Sequence, residues 1–259
     1  MTLTESSGYG EEPALLRRRW SEEQITALGD QVTALSRVVR GPHQLASPWP
    51  ATADGLIDLR GLPVGRLGLQ VKHLTLERID FTFATGWLSF FESEVADCRF
   101  DSVVLSIQPS FNRRFEQCTF RTSVARNLSL GPHVARCDFT DADLRKLLSS
   151  PNTWFEACSF DGADLAGAEF SDTVFSNCTF RNASFSERTS FTRCEFTSSP
   201  ISFGSARVHH STRDGNVLPD QWDGESRANA AWTAYLRQYT RAAAIGEADD
   251  LPLGPDDED

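Results

Sequence analysis

Hydrophobic positions in this chain recur every five residues, a spacing that no regular secondary structure produces. Phe155, Phe160, Leu165, Phe170, Phe175, Phe180 and Phe185 keep it without a break. The residue two before each is small or short: Thr153, Cys158, Ala163, Ala168, Thr173, Cys178 and Ala183. A helix needs apolar residues at a mean spacing near 3.6, and a strand needs alternation. Five fits a very short extended stretch followed by a tight corner. Side chains two apart in an extended stretch share a face, so the large residue and the small one before it both point inward. The remaining three are mostly Ser, Thr, Asn, Asp, Gly, Arg or Glu, which suit corners and solvent.

A longer period is laid over the short one. Each cysteine stands two residues before a phenylalanine, in the pairs Cys98/Phe100, Cys118/Phe120, Cys137/Phe139, Cys158/Phe160, Cys178/Phe180 and Cys194/Phe196. The cysteines are 20, 19, 21, 20 and 16 residues apart. Twenty divided by five gives four sides per turn, so the chain reads as a square coil whose repeats bury their apolar sides by stacking. These cysteines, the phenylalanines after them, Leu165, Phe170, Phe175 and Phe185 are the expected core. The 21-residue step holds an apparent one-residue insertion between Arg145 and Trp154, and one extra residue separates Phe185 from Phe191. The short last step places Cys194 on the side next to the other five. Arg113 falls on an inward small position and suggests a local bulge or a slipped register. Upstream, Leu62, Leu67, Leu69, Leu76, Ile79 and Phe81 keep only a ragged rhythm, as worn first coils would.

Ala142-Asp143-Leu144, Ala163-Asp164-Leu165 and Ala168-Glu169-Phe170, with Asn182-Ala183-Ser184-Phe185 close behind, resemble the pentapeptide-repeat family, whose unit is Ala-(Asp/Asn)-Leu-x-x. The resemblance spans roughly residues 56–204 and is strong over 96–203. It implies an all-β solenoid, a right-handed four-sided parallel β-helix.

Open solenoid ends expose unpaired strands and need covers. Ile25, Leu28, Val32, Leu35 and Val39 fall at helical steps after a Ser21/Gln24 capping-box pattern, and Gly41-Pro42 should stop that helix. A second helix is expected over 223–244, with Trp232, Tyr235, Leu236 and Tyr239 on one side, either capping the coil or joining two copies as C-terminal segments do in some family members. The expected organisation is a disordered 1–13, an N-terminal cap over 14–55, the coil over 56–204, a C-terminal loop and helix over 205–245, and a disordered acidic tail over 246–259.

The formal net charge of −11 changes the picture only after it is divided. The tail from Gly246 holds seven acidic and no basic side chains, which leaves −4 for the rest (−11 minus −7). Residues 81–204 carry fifteen acids and eleven bases, a mixed surface. Asp101, Arg121, Thr140, Asp161 and Arg181, each following a cysteine-side Phe, should stack with signs that mostly alternate. The cysteines read as buried, reduced core filler, since neither a disulfide ladder nor a zinc set suits a single inward column. Arg17-Arg18-Arg19 reads as a solvated face, and His209-His210 has no carboxylate or cysteine pattern beside it to suggest a metal. The start has no charged-then-apolar leader and no apolar run spans a membrane, so a cytoplasmic location is expected.

No phosphate loop, metalloprotease motif or nucleophile elbow is present, so no enzyme, cofactor or metal is expected. The residues favour a protein-binding solenoid, monomeric or homodimeric, that presents flat faces to an unidentified protein partner, without direct nucleic-acid or membrane binding. The resemblance adds an alternative: some members imitate duplex DNA and occupy type II topoisomerases such as DNA gyrase, giving inhibitor resistance. The mixed coil charge opposes that role and the acidic tail supports it. Immunity or self-resistance is a third reading with no residue pointing to it.

Overall fold

The computed structural model describes residues 13–37, 44–106 and 113–221. Their centre is a stacked coil of four sides. On the first side, single-residue bridges join Asp80, Arg99, Thr119, Asp138, Ser159 and Thr179 in parallel register. The second side continues through Val104, Val124, Asp143, Asp164 and Ser184. The third is a parallel sheet of Ser129–Leu130, Leu148–Ser149, Glu169–Ser171, Ser190–Thr192 and Arg207–His209. The fourth is the longest. Eight parallel strands run from Thr75–Glu77 through Glu94–Ala96, Arg114–Glu116, His133–Ala135, Trp154–Glu156, Val174–Ser176 and Glu195–Thr197 to Thr212–Arg213. The earliest coils are less regular. There Pro63–Lys72 and Thr85–Phe91 pair as long strands, with a register shift between Val64 and Leu69.

Ring stacking locks the register. Phe81, Phe100, Phe120, Phe139, Phe160 and Phe180 form one column with near-parallel rings 4.7–5.1 Å apart. That separation is close to the spacing of hydrogen-bonded strands, so each ring sits on the ring one coil below. Phe155, Phe175 and Phe196 build a second column, and Phe155 and Phe175 meet Phe160 and Phe180 edge to face at 5.5 Å. All six cysteines are buried free thiols, and Leu165, Phe170 and the stacked phenylalanines are buried with them. Phe185 is only partly buried, because the extra residue at Ser186–Arg188 shifts the chain beside it.

The corners explain the small residues. In one kind, the backbone closes on itself: the N–H groups of Ala142 and Ala163 donate to the carbonyls of Phe139 and Phe160 at 3.1 Å. Alanine suffices there. In the other kind a side-chain donor reaches the corner carbonyls. Cys158 Sγ donates to Glu156 and Val134 carbonyls, both at 3.4 Å, and Ser93, Ser199 and Ser211 do the same with hydroxyls. An orphaned buried carbonyl is costly, so this position selects Cys, Ser or Thr. The cysteine is therefore a donor as well as filler. Burial pushes the Cys118, Cys137 and Cys158 thiols up, the neighbouring Cys158 does the same to Cys178, and desolvation pushes Cys194 up to about 12.

The Asp of the repeat has its own reason. Asp143 and Asp164 accept from the backbone N–H two residues on, at Arg145 and Ala166 (3.4 and 3.0 Å), fixing the start of the corner. The next corner residues then take positive φ, as Asp141, Asn182, Lys146 and Ala157 do. Twenty-one described non-glycine residues adopt this conformation, one of the structural costs of turning every five residues.

The insertion in the 21-residue step lies over 150–153, above the short corner Gly131-Pro132, and Trp154 N–H closes the gap onto the Pro132 carbonyl at 2.8 Å. Cys194 leads into the fourth-side strand Glu195–Thr197, next to the column of the other five. Arg113 is exposed rather than inward, and its N–H bonds to the Ser93 carbonyl. Parallel pairing continues beyond residue 204, through Arg207–His209 and Thr212–Arg213. Asn216–Val217 then turns back antiparallel, with the Arg213 guanidinium on the Ile201 carbonyl and over the Phe203 ring. The helix expected over 223–244, with Trp232, Tyr235, Leu236 and Tyr239, and the acidic tail both lie outside the described residues.

At the other end, helix α1 (Pro13–Arg18) precedes α2 (Glu22–Leu35), whose Ser21/Gln24 capping box is formed. Leu28 and Val32 bury its apolar face in the core. The α-helix ends at Leu35, and residues 38–43, with Gly41-Pro42, are outside the described set. The arginine run is not a solvated face. Only Arg18 is exposed; Arg17 Nε donates to the Phe83 carbonyl, and Arg19 forks onto the buried Asp58 at 2.5 and 3.0 Å. Arg60 holds the same carboxylate at 2.9 Å. Arg19 also lies 4.7 Å over the Trp49 ring, and Trp20 Nε1 donates to the Arg60 carbonyl. The run is a clamp that fastens the cap to the first coil.

Candidate interaction face

A four-sided coil turns every second strand residue outward, so each side displays one or two residues per coil. The second side neutralises itself. Arg126 and Arg145 both reach Asp143, and Arg145 also approaches Asp164, which gives a ladder of alternating sign. The Arg145 hydrogen bond, with that of Arg126, holds the Asp143 carboxyl well below the usual carboxylate range. On the first side, Asp101 and Asp161 accept the backbone N–H of Arg121 and Arg181 one coil on, at 2.9 and 2.8 Å. The carboxylates here bind backbone as well as facing charge.

The fourth side differs. Its strands from Thr75 to Thr197 carry Glu77, Glu94, Glu116, Glu156 and Glu195 against one basic residue, Arg114, or five negatives minus one positive. Arg213, in the last strand of this side, is turned onto Ile201 and Phe203. Glu116 is bridged by Arg114 and by Arg136 at the adjoining corner. In the middle of this acidic sheet stands Trp154, 49% exposed, in register between His133 and Val174. Indole surface of that size is ordinarily buried, and here the inward column already holds Phe155. The side is eight parallel strands long.

The phenylalanines and cysteines expected from the sequence are thus placed in the core, where they set the register of this face rather than form part of it. Trp154 is not among the residues the repeat pattern singles out, although a signal for it exists. It precedes an inward Phe by one position and must point outward, where Ser, Thr or Asp usually stands. The concentration of glutamates is hidden when charge is summed along the chain instead of down each side.

A family model described as pentapeptide repeats matches eight copies over residues 158–197. No curated protein matches the chain significantly. Among solved structures, a trypsin-treated variant of QnrB1, described as a plasmid-mediated fluoroquinolone resistance protein, is 12% identical with a TM-score of 0.34, covering 61% of this chain and 88% of that one. HetL, described as a pentapeptide repeat protein involved in heterocyst differentiation regulation from the cyanobacterium Nostoc sp. strain PCC 7120, is 11% identical with a TM-score of 0.21, covering 61% and 87%. The identification rests on the repeats themselves. With eight matched copies in a four-sided coil that turns every five residues, residues 158–197 of this chain are pentapeptide repeats.

Proposed function

We propose that the protein is a non-enzymatic binding solenoid that uses its fourth side to hold a protein partner with a basic surface and an apolar pocket for Trp154. The observation that carries this reading is the exposed indole in the middle of a parallel sheet bearing five glutamates and one arginine. Large aromatic residues surrounded by a polar rim supply most of the energy of protein interfaces, and charge complementarity steers the encounter. A rigid stack of coils holds these groups without an ordering cost at binding.

The test is affinity capture from native lysate by the wild-type chain, Trp154→Ala and Arg126→Ala, the last on the self-neutralised second side. Trp154→Ala should lose the bound protein by roughly thirty-fold, about 2 kcal/mol, while folding normally. Arg126→Ala should retain it. Equal capture by all three would rule out the fourth side as the contact surface.

The same acidic face favours a second reading, a mimic of the DNA segment held by a type II topoisomerase. That reading requires salt-sensitive inhibition of gyrase supercoiling by the purified chain, or protection from drug-poisoned cleavage. The regular ion-pair ladder on the second side argues for a specific protein contact over a uniformly phosphate-like surface.

A further inference from the structure

The chain leaves the coil through a short antiparallel return in which Gln221 bridges Val208. This register places Asp220 opposite His209, and the carboxylate meets both neighbouring histidines. His209 Nδ1 lies 2.9 Å from Asp220 Oδ2, and the His210 backbone N–H donates to Asp220 Oδ1 at 2.9 Å. His210 has positive φ (47°), which folds its ring back over His209, with centroids 3.8 Å apart. One ligand atom from each of His209, His210 and Asp220 therefore lies within 4.8 Å of the other two.

We propose that His209, His210 and Asp220 bind one divalent transition-metal ion of the zinc class, fastening the return strand to the last coil. Two imidazoles and a carboxylate suit such an ion, whose bonds of about 2.0–2.2 Å set ligand atoms about 3.3 Å apart in a tetrahedron. His210 and Asp220, whose ligand atoms lie within 4.8 Å of the others, are both exposed, so solvent rather than packing surrounds the side chains that must close on the ion. His209 is the anchor, with its side chain only 13% exposed. Metal entry replaces or rearranges the existing His209–Asp220 contact, and a fourth position stays open to water. The carboxylate partner is invisible to a local sequence motif, because Asp220 lies eleven residues from His209 and reaches it only through the antiparallel return.

The experiment is calorimetric titration of zinc chloride into the chelator-stripped full-length chain, with magnesium chloride as a hard-ion control. One zinc should bind and magnesium should not, and zinc should raise Tm. His210→Asn keeps a residue that tolerates positive φ and removes the ring nitrogen; Asp220→Asn weakens the carboxylate ligand. Each should lose roughly ten-fold or more in zinc affinity while Tm in chelator stays near that of wild type. If one variant is destabilised in chelator, the other carries the comparison. Cobalt(II) substituted for zinc should show ligand-field bands without thiolate charge transfer. Absence of saturable zinc binding at millimolar concentration would overturn the site. So would wild-type affinity in the Asp220→Asn/His210→Asn double variant, or a thiolate spectrum.

Discussion

Phe160→Asp should abolish folding. Phe160 is fully buried between Phe139 and Phe180, with both ring separations at 5.0 Å, and meets Phe155 edge to face. A carboxylate there would lose the ring burial and lie in an apolar column without a cation, and either effect alone exceeds a typical mutational cost. Phe160→Ala, which creates only a cavity, should cost about 4 kcal/mol. Asn177→Asp adds the same charge at an exposed corner whose positive φ Asp tolerates, and should change stability by about 0.5 kcal/mol or less. Circular dichroism melts of the three variants would show this order. Equal melting of Phe160→Asp and Asn177→Asp would mean the register is wrong.

Asp58→Ala should release the N-terminal cap. The carboxylate is 4% exposed and takes guanidinium hydrogen bonds from Arg19 and Arg60. Removing it leaves two cations partly buried, a loss of about 3 kcal/mol for the cap. Because each coil leans only on its neighbours, the effect should concentrate in α1, α2 and the first coils, where amide hydrogen exchange would rise. Burial works to raise the Asp58 pKa, but the hydrogen bonds from Arg19 and then Arg60 outweigh it and bring it to about 2. A folded-state pKa below the unfolded value of about 3.9 contributes stability that is complete above that value and is lost as pH falls through about 2. The gap between wild type and Asp58→Ala should therefore narrow between about pH 4 and about pH 2. A gap that stays constant over that interval would contradict the clamp.

The coil was legible in the sequence because its rule is local: one large inward residue every five, with a small one two before it. Cys158 and Phe160 announce their places without reference to any distant residue. The ends were legible only in part. Leu28 and Val32 mark their helix by periodicity, but nothing near Arg19 in the sequence points to Asp58, thirty-nine residues away. The donor role of the cysteines was missed because a corner carbonyl has no sequence signature, although Ser93, Ser199 and Ser211 at equivalent positions carry the same chemistry. Trp154 was missed because a surface is a property of columns, built from residues about twenty apart that only stacking brings together.

The fourth side can be tested in living cells with a photoreactive benzoylphenylalanine at residue 154 and, in a separate variant, at residue 126 on the second side. Position 154 should yield a discrete covalent adduct of one protein, abolished by Glu116→Lys/Glu156→Lys on the same face, and position 126 should yield none. An adduct from 126 alone, or the same adduct from both positions, would show that the fourth side is not the binding face.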